Sequence, residues 1–247
     1  MFTAIHGKST KVYADQYDVS QYLNKADSPR PMDCPETTTF GKNDKCYIPG
    51  IADSTLTMEG FYDGNVGAID EIFSRTFGKS IATGTNFSWY YNGDTAGNSG
   101  FGAKMIHKDY QLTSTKDDAV KISAGGQSVV GRERLISLKS AVNAFSETGL
   151  TYTAPVDLGS AGNSGGSGYL HITALNSGTI TNLTIQHASS QGDSYSDIVT
   201  FTAPSAATSE RIEVARGADS IKQWVRVKVS GTSYNVNFNV GIYKRPI

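Results

Sequence analysis

The C-terminal part of the chain alternates apolar and polar side chains with the two-residue period of a half-buried β-strand. The longest run predicts one inward set and one outward set: Tyr234, Val236, Phe238, Val240 and Ile242 against Asn235, Asn237 and Asn239. Shorter alternating runs occupy residues 169–175, 180–188, 197–203, 211–215 and 221–229. Strands at this spacing, joined by short turns, predict a small antiparallel β-sandwich of immunoglobulin-like or jelly-roll type over residues 151–247.

The N-terminal part, residues 1–150, has a less regular β pattern and one helical segment. Asn65 is the predicted N-cap of this helix and Gly78 its stop signal. Between them, apolar residues recur at helical spacing: Val66, Ile69, Ile72, Phe73 and Phe77. The patterns together predict a mainly β chain, in which a β-sandwich with one packed helix is followed by the smaller antiparallel sandwich.

A proline-rich stretch at residues 26–50 interrupts the N-terminal pattern. It holds Pro29, Pro31, Pro35 and Pro49 and has no periodic apolar run. A loop of about 20 residues is uncommon inside a compact domain. Two interpretations follow, a mobile crossover loop or an arm that becomes ordered against a partner. In the second, its apolar residues contact a neighbouring subunit: Met32, Phe40, Tyr47 and Ile48.

Composition and charge exclude some classes of partner. The chain has 247 residues, with 22 Lys and Arg against 23 Asp and Glu, and a formal net charge of −1. It therefore lacks a basic field for binding nucleic-acid phosphates. No apolar run approaches the length of a membrane-spanning helix, and the first residues lack the basic-then-apolar layout of a secretory signal. We expect folding in a cytosol and no membrane partner.

Both cysteines, Cys34 and Cys46, lie in the proline-rich stretch. A disulfide between them is conceivable across a hairpin, whereas a reducing compartment favours free thiols. Neither cysteine has another Cys or a His at the spacing of a metal site. The spacing leaves the disulfide and the two free thiols as alternatives.

Motifs for catalysis or cofactor binding are incomplete. The Gly-Lys-Ser triplets at residues 7–9 and 78–80 lack the glycine that a phosphate-binding loop requires five positions earlier, where Phe2 and Phe73 stand. The four histidines are scattered along the chain, and there is no Gly-x-Ser-x-Gly elbow. The sequence predicts no catalytic, cofactor or metal site, and we do not expect an enzyme.

Two aromatic segments are candidates for contact surfaces. In the run Trp89-Tyr90-Tyr91, strand alternation points at least one ring outward. The run is either core with one surface tyrosine, or it places Trp89 and Tyr91 against another subunit. Trp224 is predicted on the face opposite Val225, which makes it a candidate glycan or surface contact.

The run Thr37–Gly64, TTTFGKNDKCYIPGIADSTLTMEGFYDG, has a distinctive order of features before the predicted helix. It contains a polar turn, a Pro-Gly corner, an alternating strand, an aromatic pair and an Asp-Gly turn: Phe40–Asp44, Pro49–Gly50, Leu56–Met58, Phe61–Tyr62 and Asp63–Gly64. This arrangement resembles a segment of the major tail (tail tube) proteins of long-tailed bacteriophages, and the resemblance covers roughly residues 8–150. The C-terminal sandwich resembles the immunoglobulin-like additions at the ends of phage virion proteins.

The resemblance implies a structural virion protein that assembles with copies of itself. In that family, subunits join edge to edge in hexameric rings, which stack into a tube through which genomic DNA passes. The implied partners are copies of the chain and other phage tail proteins, and the implied location is the virion tail after assembly in the host bacterial cytoplasm. Two alternatives remain: a capsid decoration or head–tail connector protein, and a glycan-binding module for host attachment.

Overall fold

The computed structural model describes residues 6–80, 82–141, 145–217 and 220–246. Within these ranges the chain forms fourteen β-strands and one α-helix, and the predicted mainly β fold is confirmed. The strands are β1 Lys11–Ala14, β2 Tyr17–Asp18, β3 Leu23–Asp27, β4 Thr55–Phe61, β5 Thr85–Tyr90, β6 Ser99–Thr113, β7 Lys121–Ser128, β8 Glu133–Lys139, β9 Phe145–Tyr152, β10 Val156–Asp157, β11 Gly166–Ala188, β12 Ser196–Phe201, β13 Thr208–Val214 and β14 Trp224–Lys244. The helix α1 is Ile69–Thr76, and two 3-10 turns lie at Gly7–Ser9 and Ser20–Tyr22.

Two compact units share these strands, and each is built from separate stretches of chain. The first contains the residues up to Gln21, Asn86–Gly102 and the residues from Glu133 onward, and the second contains Tyr22–Thr85 and Ala103–Arg132. The boundary predicted near residue 150 falls inside the first unit. Separate folding of residues 1–150 and 151–247 stays a prediction.

The first unit is organised around two long antiparallel strands, β11 and β14, which pair along their whole length. β11 has 23 residues, and a straight strand of that length would extend about 75 Å at about 3.3 Å per residue. The register between the two strands shifts repeatedly between Ile172 and Asn182, and such bulges bend a strand pair. The predicted strands at 169–175 and 180–188 are the two halves of this one bent strand.

The two halves of β11 lie in the two layers of a β-sandwich. A Cβ atom at Gly168, in the first half, would come within 2.9 Å of Ile185 Cδ1 in the second half. It would also come within 3.0 Å of Val199 and 3.2 Å of Phe201 on β12. This close approach across the layers explains the glycine. The core between the layers is apolar and buried, and includes Leu170, Ile172, Leu183, Val225, Val227, Val229, Val236, Phe238, Val240 and Ile242.

Shorter strands extend both layers of the first unit. β13 pairs with the first half of β11 and β12 with the second half. On the far side of β14, β8 pairs through Leu135 opposite Tyr243, and β9 pairs through Tyr152 opposite Lys228. Because β8 and most of β9 precede residue 151, the sandwich includes strands from before the predicted boundary.

The alternation predicted for residues 234–243 is confirmed on its inward side, where all five apolar residues are buried. Asn239, predicted outward, is buried too, and that prediction was wrong. Its Nδ2 donates to the Lys139 carbonyl at 2.9 Å, and its Oδ1 accepts from the Tyr90 hydroxyl at 3.1 Å. The side chain of Tyr90, on β5, covers this position, and the amide is buried at low cost because it is hydrogen-bonded.

The second unit is an antiparallel sheet in the order β3, β4, β7 and the later part of β6. Alternate residues of β4 are buried, among them Leu56 and Met58. Helix α1 buries Phe73, whose ring lies edge-on to Tyr110 at 5.9 Å between centroids. The sheet therefore has an apolar face and a face of partly exposed residues.

Helix α1 is shorter than predicted at its start. It begins at Ile69 after the N-cap Ala68, whereas the prediction placed Val66 inside the helix and Asn65 at the cap. Asn65 instead donates from its backbone and its side chain to the carboxylate of Asp63, an Asx-type turn that precedes the helix. The predicted stop is confirmed, since Gly78 has a φ of 74° just beyond the last helical turn.

A fragment starting at Glu133 should be more stable than one starting at residue 151. The longer fragment keeps β8 and β9 against β14, and it keeps Phe145, whose ring contacts Phe238 at 5.9 Å. Loss of that burial alone should lower the free energy of unfolding by about 1–2 kcal/mol, and the exposed edge of β14 should promote aggregation. Urea unfolding followed by circular dichroism measures the difference. Equal midpoints would contradict this expectation and support the boundary at 150.

Candidate functional site

The proline-rich stretch forms a two-stranded ribbon that prolongs the β3–β4 hairpin. Backbone hydrogen bonds cross it at successive rungs: Thr55 N to Pro29 O, Asp53 N to Pro31 O, Asp33 N to Ile51 O, Gly50 N to Asp33 O, Ile48 N to Pro35 O and Thr37 N to Cys46 O, at 2.7–3.4 Å. We name residues 29–53 the arm. The interpretation as an arm fits this geometry, and the ribbon is formed within a single chain.

The arm exposes apolar side chains. Phe40 at its tip is fully exposed, and Met32, Tyr47 and Ile48 are each about half exposed, at 50–54%. Ile51, which the sequence analysis did not select, is 84% exposed. The neighbours of these residues are exposed as well, since every residue from 31 to 51 is. All four arm residues predicted to contact a neighbouring subunit are therefore accessible.

The exposed apolar residues occupy both faces of the arm. Met32 is paired with Ala52, and Tyr47 with Glu36. Residues paired across a ribbon share a face, and successive residues alternate between faces, so Met32 and Tyr47 lie on one side. Ile48, opposite Pro35, lies on the other side. An arm that is apolar on both faces can contact partners on two sides.

The cysteines are free thiols and both are exposed. Cys46 lies opposite Thr37, three residues along the strand from Cys34. A disulfide across a hairpin requires residues that face each other, so the alternative of a bond between these two cysteines does not fit the register of the arm.

The first strand of the arm, residues 29–37, prolongs β3. Among the described residues, β4 is the only strand that pairs with β3. The carbonyl of Ser28, between β3 and the arm, accepts a hydrogen bond from Arg132 Nη1. Beyond Ser28, the outer side of the arm's first strand is an edge that another strand could join.

The other aromatic candidates behave differently from one another. Trp89 is fully buried, and its ring packs 6.0 Å from that of Phe101. This burial removes Trp89 from the residues that could contact a subunit. Tyr91 is partly exposed and remains a candidate. The cluster is thus mainly core, with one tyrosine near the surface.

Trp224 is half-buried, on the side of β14 opposite the buried Val225. The neighbouring residue on its side, Arg226, stacks its guanidinium on Tyr152 at 3.8 Å and on Tyr195 at 4.0 Å. The arginine occupies one face of each tyrosine ring. A sugar would need such a face for stacking, so this surface adds little to the glycan-binding prediction for Trp224.

A serine and a histidine meet inside the first unit. Ser88 Oγ lies 2.7 Å from His171 Nε2, and His171 Nδ1 lies 2.6 Å from the backbone oxygen of Asp15. A carbonyl only accepts, so Nδ1 holds the proton and Ser88 donates to Nε2. Both side chains are fully buried, which denies a substrate access to the serine. The pair is structural, and no local motif could have indicated it.

A buried ion pair in the same unit is equally closed to substrate. Glu133 accepts from Ser167 at 2.7 Å and from Arg211 Nη2 at 2.7 Å, and it also accepts from the Tyr169 hydroxyl. Burial lowers the pKa of Arg211, but the hydrogen bond and charge of Glu133 outweigh this effect, so the pKa of Arg211 is raised. Such a satisfied cluster fixes strand positions and offers no open chemistry.

The described residues contain no group of three or more His, Cys, Asp and Glu side chains arranged to hold a metal ion. Among those same residues, no helix has the length and apolarity needed to cross a membrane.

No family model and no curated protein matches the chain. Among solved structures, a protein of a gene transfer agent virion has 11% identity and a TM-score of 0.42, over 53% of this chain and 98% of that one. The SPP1 tail tube protein has 12% identity and a TM-score of 0.43, over 53% and 78%. The SPP1 Dit protein has 10% identity and a TM-score of 0.40, over 96% and 99%. Similarity at this level does not establish a function for the chain.

Stability should depend on pH through His171. Its burial lowers its pKa to about 4 from 6.5. Between these values the unfolded chain binds the proton first, so the free energy of unfolding should fall by about 3 kcal/mol as the pH drops from about 6.5 to about 4. His171→Gln should remove this part of the slope in urea titrations at several pH values.

The exposed His6 provides the matched control for that experiment. His6→Gln, a substitution of the same kind at an exposed position, should change the free energy of unfolding little. A His171 variant that keeps the full slope would show that other groups cause it.

Proposed function

We propose that the chain is a structural virion protein that assembles with copies of itself, as rings stacked into a phage tail tube. The observation that supports this most directly is the arm, an exposed ribbon with apolar side chains on both faces. The run Thr37–Gly64 that resembles tail tube proteins contains residues 37–53 of the arm and the strand that follows it, β4. The resembling sequence therefore includes most of the exposed arm.

The exposed apolar side chains of the arm favour binding to a partner protein. Isolated apolar side chains on a protein surface are ordinary, but a contiguous exposed set marks an interaction site. The arm presents Phe40, Tyr47, Ile48 and Ile51 to solvent within a dozen residues. Burying them against a second subunit would remove apolar area from water at about 25 cal/mol per Å².

The outer edge of the arm's first strand, residues 30–36, favours assembly in one direction. An edge strand left unpaired is normally covered, shortened or charged, because it can pair with another chain. A contact between this edge and a different surface of the next copy is heterologous, and repetition of such a contact produces either a closed ring or an open filament. A stack of rings requires two such contacts: one that closes a ring in the plane, and one that repeats without closing along the axis.

The finer features come from the sequence resemblance. These are the hexameric ring, genomic DNA as passing cargo, other phage tail proteins as partners, and assembly in the host bacterial cytoplasm. The near-neutral chain suits a surface that does not hold DNA.

Purified protein should associate as its concentration rises. Sedimentation velocity should show a growing large species, and negative-stain electron microscopy should show rings or tubes. Single rings without tubes would indicate a connector or tail-end component, and closed shells or trimers would indicate a capsid role. A monomer at every concentration, with no assemblies in the microscope, would contradict the proposal.

Replacing Phe40 and Tyr47 with Ala should weaken assembly without unfolding the chain. Both side chains are exposed in the single chain, so the melting temperature of the monomer should change little. Buried aromatic anchors at an interface cost about 2 kcal/mol or more each when truncated. Sedimentation at matched concentrations measures association, and thermal melts measure the monomer.

Leu150, which is 55% exposed and lies outside the arm, provides a matched control as Leu150→Ala. This variant should assemble like the natural chain. Normal assembly of the double arm variant, or unfolding of its monomer, would show that the arm does not join subunits.

A further inference from the structure

Three of the four prolines of the arm, Pro29, Pro31 and Pro35, lie on its first strand at positions whose backbone faces the second strand; the fourth, Pro49, lies on the second strand and faces outward. The carbonyl oxygens of Pro29, Pro31 and Pro35 accept the cross-ribbon bonds listed above. In an antiparallel ribbon, a residue whose carbonyl points to the partner strand has its N–H on the same side. Proline has no N–H, so at these three rungs the arm keeps one of two possible hydrogen bonds.

The residues between the prolines face outward. They are Arg30, Met32, Cys34 and Glu36, and each has an N–H on the free edge of the ribbon. Within the described residues, no acceptor is found for these four backbone N–H groups. The outer edge therefore keeps its full set of donors, while the inner side of the same strand has lost most of its own.

This placement is the reverse of edge protection. Natural edge strands use proline where an N–H would face solvent, because this prevents another strand from pairing there. On the first strand of the arm, prolines weaken the pairing inside the ribbon and leave the outer side able to pair with another strand. The N–H groups of Met32 and Cys34 lie at the centre of this competent stretch.

We infer that the outer edge of residues 30–36 receives a β-strand from a second copy of this chain, by main-chain hydrogen bonding. The inference rests on the proposed self-assembly and specifies how the arm takes part. Pairing between backbones supplies affinity, and the alternating side chains supply register. The apolar faces of the arm then contact the copy that provides the strand.

The charges along the edge support a second copy as the occupant. Arg30 and Glu36 flank the uncharged Met32 and Cys34, so the edge has both signs and no net charge. A polyanion such as DNA finds no basic stripe here. Lys45 of the same arm already pairs with Glu36 at 3.1 Å, so a strand of a second, nearly neutral copy needs to offer an opposite charge only to Arg30.

The test compares Cys34→Pro with Cys34→Ser in the full chain. Both variants remove the thiol, but only proline removes the outward N–H. Cys34→Pro should raise the concentration at half-assembly by roughly tenfold or more, because proline removes an outward main-chain donor and its ring blocks the approach of the neighbouring strand. Cys34→Ser should assemble like the natural chain.

Amide hydrogen exchange provides a second measurement that does not depend on a variant. In dilute monomer the amides of Arg30, Met32, Cys34 and Glu36 should exchange rapidly, and assembly should protect them. A thermal melt of dilute Cys34→Pro checks that its monomer remains folded.

Four results would overturn the inference: normal assembly of Cys34→Pro, equal loss in Cys34→Pro and Cys34→Ser, an unchanged exchange rate at these amides on assembly, or protection that appears only when DNA or another protein is added. In the first three cases the proposed self-assembly stands if the natural chain forms rings or tubes. If the natural chain never assembles, the proposed function itself is wrong, and this result is distinguishable from a failure of the strand-pairing inference alone.

Discussion

The pairing of β11 with β14 is the constraint on which the first unit depends. The two strands pair along their whole length, and their bulges between Ile172 and Asn182 turn one strand pair into two facing layers. Because side chains alternate with a period of two, a slip by one residue would move every buried valine of β14 to the outer face. The bulges and the glycine at 168 fix that register where the layers meet.

The strand content could be predicted from the sequence, whereas the bend could not. Alternation correctly identified the buried set from Tyr234 to Ile242, because period two is a local property. The stretch between Leu175 and Ile180 is exposed and polar, so it resembles a turn between two strands even though the ladder continues through it. Asn239 was misplaced because Tyr90, distant in sequence, supplies the cover and the hydrogen bond.

The candidate surface shows the same division between local and distant information. Prolines and missing periodicity located the arm, and exposure agrees for Met32, Phe40 and Tyr47. The ribbon itself depends on hydrogen bonds between residues up to about 26 positions apart, which composition does not encode. Trp89 shows another limit of sequence information. An aromatic cluster has the same sequence pattern whether it is buried or exposed, and Trp89 is buried. A signal was available in the alternation of Pro29, Pro31 and Pro35, which marks one face of a strand.

The two units treat their polar groups in opposite ways. In the first unit, the Ser88–His171 pair and the Glu133–Arg211 pair satisfy each other inside the core, where an unpaired group would cost about 1–3 kcal/mol. In the arm, the outward N–H groups of Arg30, Met32, Cys34 and Glu36 have no protein acceptor among the described residues, so water satisfies them and the monomer loses little. Their pairing becomes favourable only when a second strand excludes that water along with the apolar side chains beside it. In the proposed assembly the contacts of the arm would form only when copies of the chain associate, which would make association dependent on concentration.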